Sequence, residues 1–380
     1  MASKTDEHSP ARPASMESPT LMKPVDPAAV ASRRRSTRHV VFYLILLGLV
    51  SSHFALSYMM STHPQFNLHD YLNGKAPQPY QYRALPAWIL YLTSNTALAR
   101  SISAQLPAPF SDSEQLMFLL LVAMSMGGMI EITRRCILAV TSDREFAMMF
   151  AFLTPAAAYI TYVSIANSYR LAMAYDIPAL MLFGWAYYFI LTENFIAFIV
   201  AFFFATLARD TSVFLIFVYI CQRWTNIPTL LRRDGLRLVL IGTIYVAVIG
   251  FLYTLYGKNL PELAMGQRRG TGIEIPGGFF VVQVGQNIQN LLSPIYGPSI
   301  LSLVGWLWLP VLFGWRRLDH PGIRRTLLVL PPLWFIAVMI GGRVSEVRTF
   351  GEMIWFFVIA MAIITRNWLA EHGYGNQTIG

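Results

Sequence analysis

Charged residues are scarce in this chain. Asp, Glu, Lys and Arg together make up 13% of it, hydrophobic residues make up 55%, and the mean hydropathy is +0.48. Soluble globular proteins carry about 25% charged residues, so this composition excludes them and predicts an integral membrane protein. The excess of 29 Lys and Arg over 20 Asp and Glu does not indicate nucleic-acid binding, because the basic residues form short groups between apolar runs, where they set topology.

Cysteine and the common catalytic motifs are also scarce or absent. Cys136 and Cys221 map near predicted cytoplasmic helix ends, where thiols stay reduced, so no disulfide is expected. The chain has no CxxC pair, no HExxH, no GxSxG and no P-loop, and these absences exclude soluble zinc hydrolases, serine hydrolases and ATP-driven enzymes. The remaining candidates for functional groups are acidic and arginine side chains.

Three segments divide the chain. Residues 1–38 lack an apolar run and predict a disordered cytoplasmic tail, and residues 367–380 predict a short cytoplasmic tail. Residues 39–366 predict a polytopic, all-α membrane domain with about ten transmembrane helices and with interfacial helices in its outer loops. The predicted spans are 40–60, 116–132, 146–165, 177–191, 195–207, 212–220, 238–256, 300–315, 326–340 and 350–364.

The arginine distribution predicts the orientation of these spans. Alternating them from a cytoplasmic N terminus places most arginine groups inside, as the positive-inside rule requires. These residues are Arg134, Arg135, Arg144, Arg223, Arg232, Arg233, Arg237, Arg316, Arg317, Arg324 and Arg325. We therefore expect a bacterial-type inner, or plasma, membrane location with both chain ends in the cytoplasm. An uncleaved first span is expected, because the apolar core of a signal peptide is shorter and nearer the start.

Two neighbouring spans, 195–207 and 212–220, are short for a bilayer. They predict either one long helix with a buried Arg209 and Asp210, or two half-helices that meet at a bend in a protein-lined cavity. The bend agrees better with the downstream charges. On the same outer face, RALPAWILYL at residues 83–92 predicts an interfacial helix that caps the cavity.

Acids, arginines and tyrosines lie beside the outer ends of these spans. Ionisable groups at membrane depth cost several kcal/mol, roughly, unless they are paired or solvated, so we expect these residues to line one active site. Arginine contacts phosphate oxygens through a planar fork, which favours a phosphate-bearing lipid as substrate. Asp70 is the candidate catalytic base, and a divalent metal such as Mg or Mn could bridge the phosphates, with its ligands unassigned. The candidate substrate-binding residues are His69, Tyr80, Tyr82, Arg83, Arg170, Tyr175, Asp176, Arg209, Asp210, Arg343, Glu346, Arg348 and Glu352.

Structural interpretations compete with these assignments in the first outer loop. Asp70 could cap the N terminus of a helix that contains Tyr71, since Asp is among the preferred N-cap residues. Arg83 could extend from an interfacial helix towards water while its aliphatic part packs on apolar surface. Both interpretations remain open at the level of sequence.

The later clusters have structural alternatives of the same kind. Arg209 and Asp210 could form an internal ion pair that fixes the bend. Glu346, Arg348 and Glu352 stand near one helical face, where local pairing along the helix would account for them.

The segment LAMAYDIPALMLFGWAYYFILTENFIAFIVAFFFATLARDTSVFLIFVY, residues 171–219, resembles the core of GT-C membrane glycosyltransferases. It has a polar loop with an acid, a span, a tight turn, a second span that ends in an A-x-L-x-R stretch, and a short apolar return. The resemblance implies a GT-C-like fold and a catalytic acid in the first extracytoplasmic loop, which corresponds to Asp70. Many relatives have paired acids in that loop, whereas this chain has His69 beside Asp70. VSEVRTFGEMI, residues 344–354, is similar to an acid-arginine segment of bacterial polysaccharide-pathway membrane proteins.

The resemblance also implies a function in cell-surface glycan assembly. A sugar would pass from a polyprenyl-phosphate donor to an extracytoplasmic acceptor, either a glycan or a lipid-linked molecule, within membrane lipid and without nucleic acid. Two alternatives remain. An O-antigen-type polysaccharide polymerase or ligase would use outer-face arginines on a polyprenyl-diphosphate substrate, and a lipid-linked glycan transporter or flippase would use buried charges as a substrate pathway.

Overall fold

The computed structural model describes residues 27–61, 63–64, 67–77, 80–164, 171–259, 273–274, 281–282, 284–294 and 296–373. The candidate residue Arg170 lies outside this part of the chain. Contacts divide the protein into two units, Met1–Ile45 and Leu46–Gly380. All elements after the first helix belong to the second unit.

The described part of the chain is all-α. The helices are α1 (Pro27–Ser61), α2 (Leu68–Leu72), α3 (Ala84–Ser94), α4 (Ala97–Ser103), α5 (Ser113–Thr141), α6 (Arg144–Phe150), α7 (Leu153–Tyr159), α8 (Asp176–Leu191), α9 (Phe195–Ala208), α10 (Phe214–Arg223), α11 (Ile227–Tyr256), α12 (Val284–Leu292), α13 (Gly297–Leu301), α14 (Trp308–Phe313), α15 (Pro321–Gly341) and α16 (Ile354–Glu371). Shorter 3-10 and π turns connect several of them. Extended structure is limited to two-residue pairs: β1 (His63–Pro64) runs parallel to β2 (Leu171–Ala172), and β3 (Ile273–Glu274) runs antiparallel to β4 (Val281–Val282).

Within the part of the chain that the structure describes, six helical stretches are long and apolar enough to cross a membrane. They are His39–Ser61, Ser113–Thr141, Arg144–Ser164, Ile227–Tyr256, Pro321–Gly341 and Val347–Glu371. The shortest of them have 21 residues, which at 1.5 Å per residue gives about 32 Å, enough for a hydrocarbon core of about 30 Å. The protein is therefore a helical membrane protein, as the composition predicted.

The other four predicted spans are shorter helices or are interrupted. α8, α9 and α10 have 16, 14 and 10 residues. The prediction of one continuous helix over residues 300–315 is wrong, because that segment is divided among α13, a 3-10 turn at Leu303–Trp306, α14 and a further turn. Gly305 has a φ of +65°, and a Cβ there would lie 2.9 Å from the Cα of Ala157. Close packing on α7 therefore requires both a glycine and a turn at this position.

The predicted bend between α9 and α10 is present. α9 ends at Ala208, Arg209 has extended backbone angles (φ −163°, ψ 139°), and a 3-10 turn at Asp210–Val213 leads into α10. The alternative of one long helix through Arg209 and Asp210 is wrong. The extended residue also decides where the neighbouring side chains point, because successive side chains in extended backbone lie on opposite sides.

The core forms around α16. In its membrane-spanning stretch, 83% of the most apolar window is buried, against 17% in α11, so α16 is central and α11 is peripheral. α8 approaches α16 closely at Gly184, where a Cβ would lie 2.3 Å from the Trp355 ring. On the other side, Trp334 of α15 stacks on Phe214 of α10 with 3.8 Å between ring centres. These contacts fix the helix ends that carry the candidate site.

Candidate functional site

Three chain segments meet at one end of this core: the start of α8, the end of α9 and the turn before α16. Asp176 is the first residue of α8, and Arg209 directly follows the last residue of α9. An acid at a helix N terminus and a base at a C terminus are each favourable with the helix dipole. Glu352 lies in the 3-10 turn Val347–Met353, which leads into α16. Helix packing therefore brings together charges that are far apart in sequence.

Asp176 is the centre of a buried ion network. Its Oδ2 lies 3.0 Å from Nη1 of Arg348, and its Oδ1 lies 3.7 Å from Nη1 of Arg209. The same Arg209 Nη1 lies 3.0 Å from Oε1 of Glu352, and Arg348 Nη2 lies 3.0 Å from Oε2 of Glu346. Asp176, Arg209 and Glu352 are at most 3% exposed. These four contacts make a continuous chain of alternating charge through the site.

The network is electrically balanced. Arg343 joins it at its edge, with Nη1 3.8 Å from Oε1 of Glu346. Three arginines (Arg209, Arg343 and Arg348) thus face three acids (Asp176, Glu346 and Glu352). Buried ions are tolerated when they are paired in this way, whereas removal of one partner is costly. We refer to these six residues as the ion cluster.

Although the charges of the ion cluster balance, some of its arginine N–H groups have no hydrogen-bond acceptor among the described residues. The Nε atoms of Arg209 and Arg348 are buried, and neither has a hydrogen-bond partner within the described residues. Arg209 Nη1, although close to Glu352, also lacks hydrogen-bond geometry there. Native proteins leave few buried donors unpaired, and each such donor calls for an explanation. A ligand with oxygen acceptors would supply the missing partners.

Neutral groups hold the ion cluster in place. Thr211 Oγ1 donates to Oε1 of Glu352 at 2.6 Å, and Tyr162 Oη donates to the carbonyl of Arg348 at 3.4 Å. Neither residue is among the predicted site residues. Thr211 follows the Arg209-Asp210 pair directly and could have been included on that ground, whereas Tyr162 lies in an apolar span and its sequence context gave no signal.

Arg83 lies beside the ion cluster and not in it. Its guanidinium carbon is 4.2 Å from the ring centre of Tyr175 and 6.0 Å from that of Tyr80. Its Nη2 is 3.8 Å from Oδ1 of Asp210, whose side chain is 56% exposed, whereas that of Arg83 is 13% exposed. A guanidinium this buried does not extend into water, so that interpretation of Arg83 is wrong. Tyr175 directly precedes Asp176, so it connects Arg83 to the ion cluster.

One further structural interpretation is wrong, and another holds only in part. Arg209 pairs with Asp176 and Glu352, whereas Asp210 faces Arg83, so Arg209 and Asp210 do not form an ion pair with each other. Local pairing accounts for Glu346, Arg348 and Glu352 only in part: Arg348 pairs with Glu346 nearby, whereas Glu352 pairs with Arg209 and not with Arg348. The turn before α16 serves long-range contacts.

Asp70 lies at the edge of this region, on the one-turn helix α2. Asn67 is the N-cap of α2, and its side chain accepts from the backbone N–H of His69 at 3.0 Å, so the capping interpretation of Asp70 is wrong. The next residue, Tyr71, donates to the backbone carbonyl of Arg83 and packs edge-on against Tyr175 with 6.3 Å between ring centres. Asp70 itself is exposed, and its carboxylate forms no ion pair or side-chain hydrogen bond in the described ranges.

His69 anchors α2 to α5. Its Nδ1 lies 2.8 Å from Oε1 of Glu114, in the first turn of α5, and the hydrogen bond and charge of that carboxylate raise the pKa of the imidazole. His69 is thus a structural neighbour of Asp70, and its partner Glu114 is not among the predicted site residues. Tyr82, a predicted binding residue, packs against Tyr253 of α11, with 6.3 Å between ring centres.

The acids do not form an obvious metal site. No group of three or more His, Cys, Asp and Glu side chains that could hold a metal ion occurs within the residues the structure describes. The reason is visible in the ion cluster, where arginines lie between the acids. Mg or Mn binding therefore gains no ligand set from this part of the chain.

Comparison with known proteins adds no relative. No family model matches the chain, and neither the curated proteins nor the solved structures contain a significant match. The geometry of the ion cluster and its surroundings must carry the functional argument.

Proposed function

We propose that the protein is a membrane glycosyltransferase that moves a sugar from a polyprenyl-phosphate donor to an extracytoplasmic acceptor. The observation that carries this proposal is the pair of buried, unpartnered Nε–H groups of Arg209 and Arg348. Both belong to guanidinium groups that acidic partners already orient. Phosphate oxygens accept strong, charge-assisted hydrogen bonds from such donors. An apolar carrier chain would explain why the site lies among membrane helices.

Charge favours a phosphodiester as the bound group. The ion cluster is balanced, so a bound phosphodiester would add one negative charge to it. Arg83 can compensate this charge, because its partner Asp210 is more than half exposed and exposed ion pairs are weak. The donor phosphate would therefore lie between Arg83 on one side and Arg209 and Arg348 on the other.

Asp70 is the residue we assign as general base. Asp176 and Glu352 are held by arginines inside the ion cluster, whereas the Asp70 carboxylate is exposed and within one residue of the Tyr71 contacts to Arg83 and Tyr175. In the proposed step, Asp70 takes the proton of the acceptor hydroxyl. The hydroxyl oxygen bonds to the anomeric carbon, the bond from that carbon to the phosphate oxygen breaks, and polyprenyl phosphate leaves.

The finer topology belongs to the same proposal. Ten crossings of a bacterial inner membrane, with both termini in the cytoplasm, would place the ion cluster outside and the arginines of α10 and α11 inside. The structure supports this arrangement in one respect. Arg223 is the last residue of α10, and Arg232 and Arg233 lie near the start of α11, at the helix ends opposite Arg209 and Tyr256.

The experiment measures binding of a short-chain polyprenyl monophosphate to purified protein in lipid nanodiscs. Arg209→Lys and Arg348→Lys keep the charge but remove the fork and the Nε–H group. Hydrogen bonds to charged groups contribute about 1.5–3 kcal/mol, so each variant should raise Kd by about tenfold or more. The control is Arg232→Lys, at an exposed arginine of α11, which should bind like the parent.

The possible results separate the candidates. If both site variants are folded, as judged by their melting temperature, and bind the lipid with parental Kd, the proposal fails. Stronger competition by a polyprenyl diphosphate than by the monophosphate would instead favour the polymerase or ligase alternative. Lipid movement across vesicles without sugar transfer would favour the transporter.

A further inference from the structure

The short helix α12 contacts the segment that carries Arg348. α12 has two sides: Asn287 and Asn290 are buried, whereas Ile288 and Leu292 are 46% and 81% exposed. A helix with one polar, docked side and exposed apolar side chains is typical of the membrane interface. Its buried amides are its connection to the rest of the protein.

Asn287 makes an unusually complete set of hydrogen bonds. Its Nδ2 lies 3.2, 3.0 and 2.8 Å from the carbonyl oxygens of Val338, Met339 and Gly342, and its Oδ1 accepts from the backbone N–H of Val344 at 3.0 Å. The last carbonyls of a helix have no partner within the helix. The Val338 carbonyl already accepts from the backbone N–H of Gly342, so the two N–H groups of the Asn287 amide chiefly serve the carbonyls of Met339 and Gly342, while its Oδ1 fixes the first residues after α15.

These residues lead directly to the ion cluster. Val344 and Val347 are fully buried, and Arg348 follows with its contacts to Asp176 and Glu346. Beyond Arg348, the backbone is held by Trp334, whose Nε1 donates to the carbonyl of Thr349 at 2.9 Å. The Arg348 backbone is thus fixed before it by Asn287 and after it by α15 itself.

We propose that Asn287 is a positioning residue for donor binding: it sets the place of Arg348 through the segment Val344–Val347. This inference rests on the proposed function, in which Arg348 contacts the donor phosphate. A guanidinium that must meet a phosphate oxygen needs to be held within about half an ångström of its productive place, and supporting hydrogen bonds provide that precision. Loss of the Asn287 contacts releases Arg348 without altering its charge or its partners.

The test uses Asn287→Asp and Asn287→Ala in the full-length protein. Asn287→Asp keeps the volume and the acceptor for Val344 but places a carboxylate oxygen opposite three carbonyl oxygens. Asn287→Ala removes all four contacts without adding charge. The matched control is Asn290→Ala, because Asn290 lies one turn away on the same side of α12 and makes two long contacts: it donates to Oγ of Ser345 at 3.5 Å and accepts from Nε2 of Gln286 at 3.4 Å.

Two measurements are made on each variant in nanodiscs. Hydrogen exchange at the Val344 amide, which Asn287 directly protects, should accelerate by about tenfold or more in Asn287→Ala, since a lost hydrogen bond of about 1.4 kcal/mol corresponds to a factor of ten. In a transfer assay, KM for the polyprenyl-phosphate sugar should rise by about tenfold while kcat changes little, because weaker placement of a binding group affects ground and transition states alike. Asn290→Ala should change neither quantity.

A purely structural role gives a different pattern. Partial unfolding would lower kcat in proportion to the folded fraction and leave KM at its parental value, and that result for either Asn287 variant overturns the inference. Parental exchange at Val344 in Asn287→Ala overturns it as well. If Arg348→Lys weakens lipid binding while both Asn287 variants keep parental KM, this inference fails and the proposed function stands. If Arg348→Lys itself binds normally, the proposed function is at fault.

Discussion

Asp70 is exposed and Asp176 is buried, so replacement by Asn should affect activity at Asp70 and stability at Asp176. Asp176 is fully buried, 3.0 and 3.7 Å from two arginines. Neutralising it leaves three arginines of the ion cluster facing two acids. Breaking a buried ion pair in this way costs about 3–5 kcal/mol, so Asp176→Asn should lower the melting temperature strongly.

Asp70→Asn should leave stability unchanged and remove activity. The carboxylate is exposed and has no ion pair within the described part of the chain, and such surface changes alter the free energy of unfolding by about 0.5 kcal/mol or less. As general base, however, it should contribute about a hundredfold or more to the rate, which is about 2.7 kcal/mol or more of the barrier.

The assay is glycosyl transfer by purified variants in nanodiscs, with melting temperature measured on the same samples. The expected result is a folded, inactive Asp70→Asn protein and a destabilised Asp176→Asn protein. Near-parental turnover by Asp70→Asn would refute its role as base and direct attention to the acids of the ion cluster. A large loss of stability in Asp70→Asn would show that the Asp70 carboxylate makes a stabilising contact in the folded protein.

Two other predictions follow from contacts around the site. Glu114→Gln should lower the pKa of His69 in an NMR titration, because the Glu114 carboxylate raises that pKa. The pair stabilises the fold fully below the pKa that His69 has in the unfolded chain, and this stabilisation is lost as the pH rises through the higher pKa of the folded protein. An unchanged pKa of His69 would show that the contact is not maintained in solution. Cysteines introduced by Lys75→Cys and Lys258→Cys should react with an impermeant thiol reagent from the same side of the membrane, because the neighbouring Asn259 donates to the carbonyls of Gly74 and Ala76. Arg232→Cys lies near the other end of the 30-residue α11 and should react from the opposite side. Labelling of Lys75→Cys and Arg232→Cys from one side would contradict the placement of α11.

The sequence predicted the helical class and the bend because both depend on local properties. Apolar runs long enough to cross a bilayer gave the six long helical stretches, and the short spans around Arg209 indicated the break. The pairing inside the site could not be obtained in the same way. Arg209 and Asp210 are neighbours in sequence, but the extended backbone at Arg209 sends the two side chains in different directions, one to Glu352 and the other to Arg83.

The prediction of one continuous helix over residues 300–315 was wrong for a related reason. The hydropathy of this segment is that of a span, but the break includes a close approach of Gly305 to Ala157, which is distant in sequence. The contacts of Asn287 could not be predicted from the sequence either, since an Asn in a polar loop segment gives no indication that three carbonyls and an N–H group will surround it. Long-range packing decided each of these positions.

The composition of the ion cluster has a consequence for how the protein is made. Asp176, at the start of α8, and Arg209, directly after α9, already form a neutral pair when only these two of the six cluster residues have been synthesised. The segment that completes it, some 140 residues later, contributes Arg343, Glu346, Arg348 and Glu352 and is also neutral by itself. Since an uncompensated charge is costly in a bilayer, this order of residues lets each part enter the membrane without waiting for the other. At both stages of insertion, the cluster residues already in the nascent chain have no net charge.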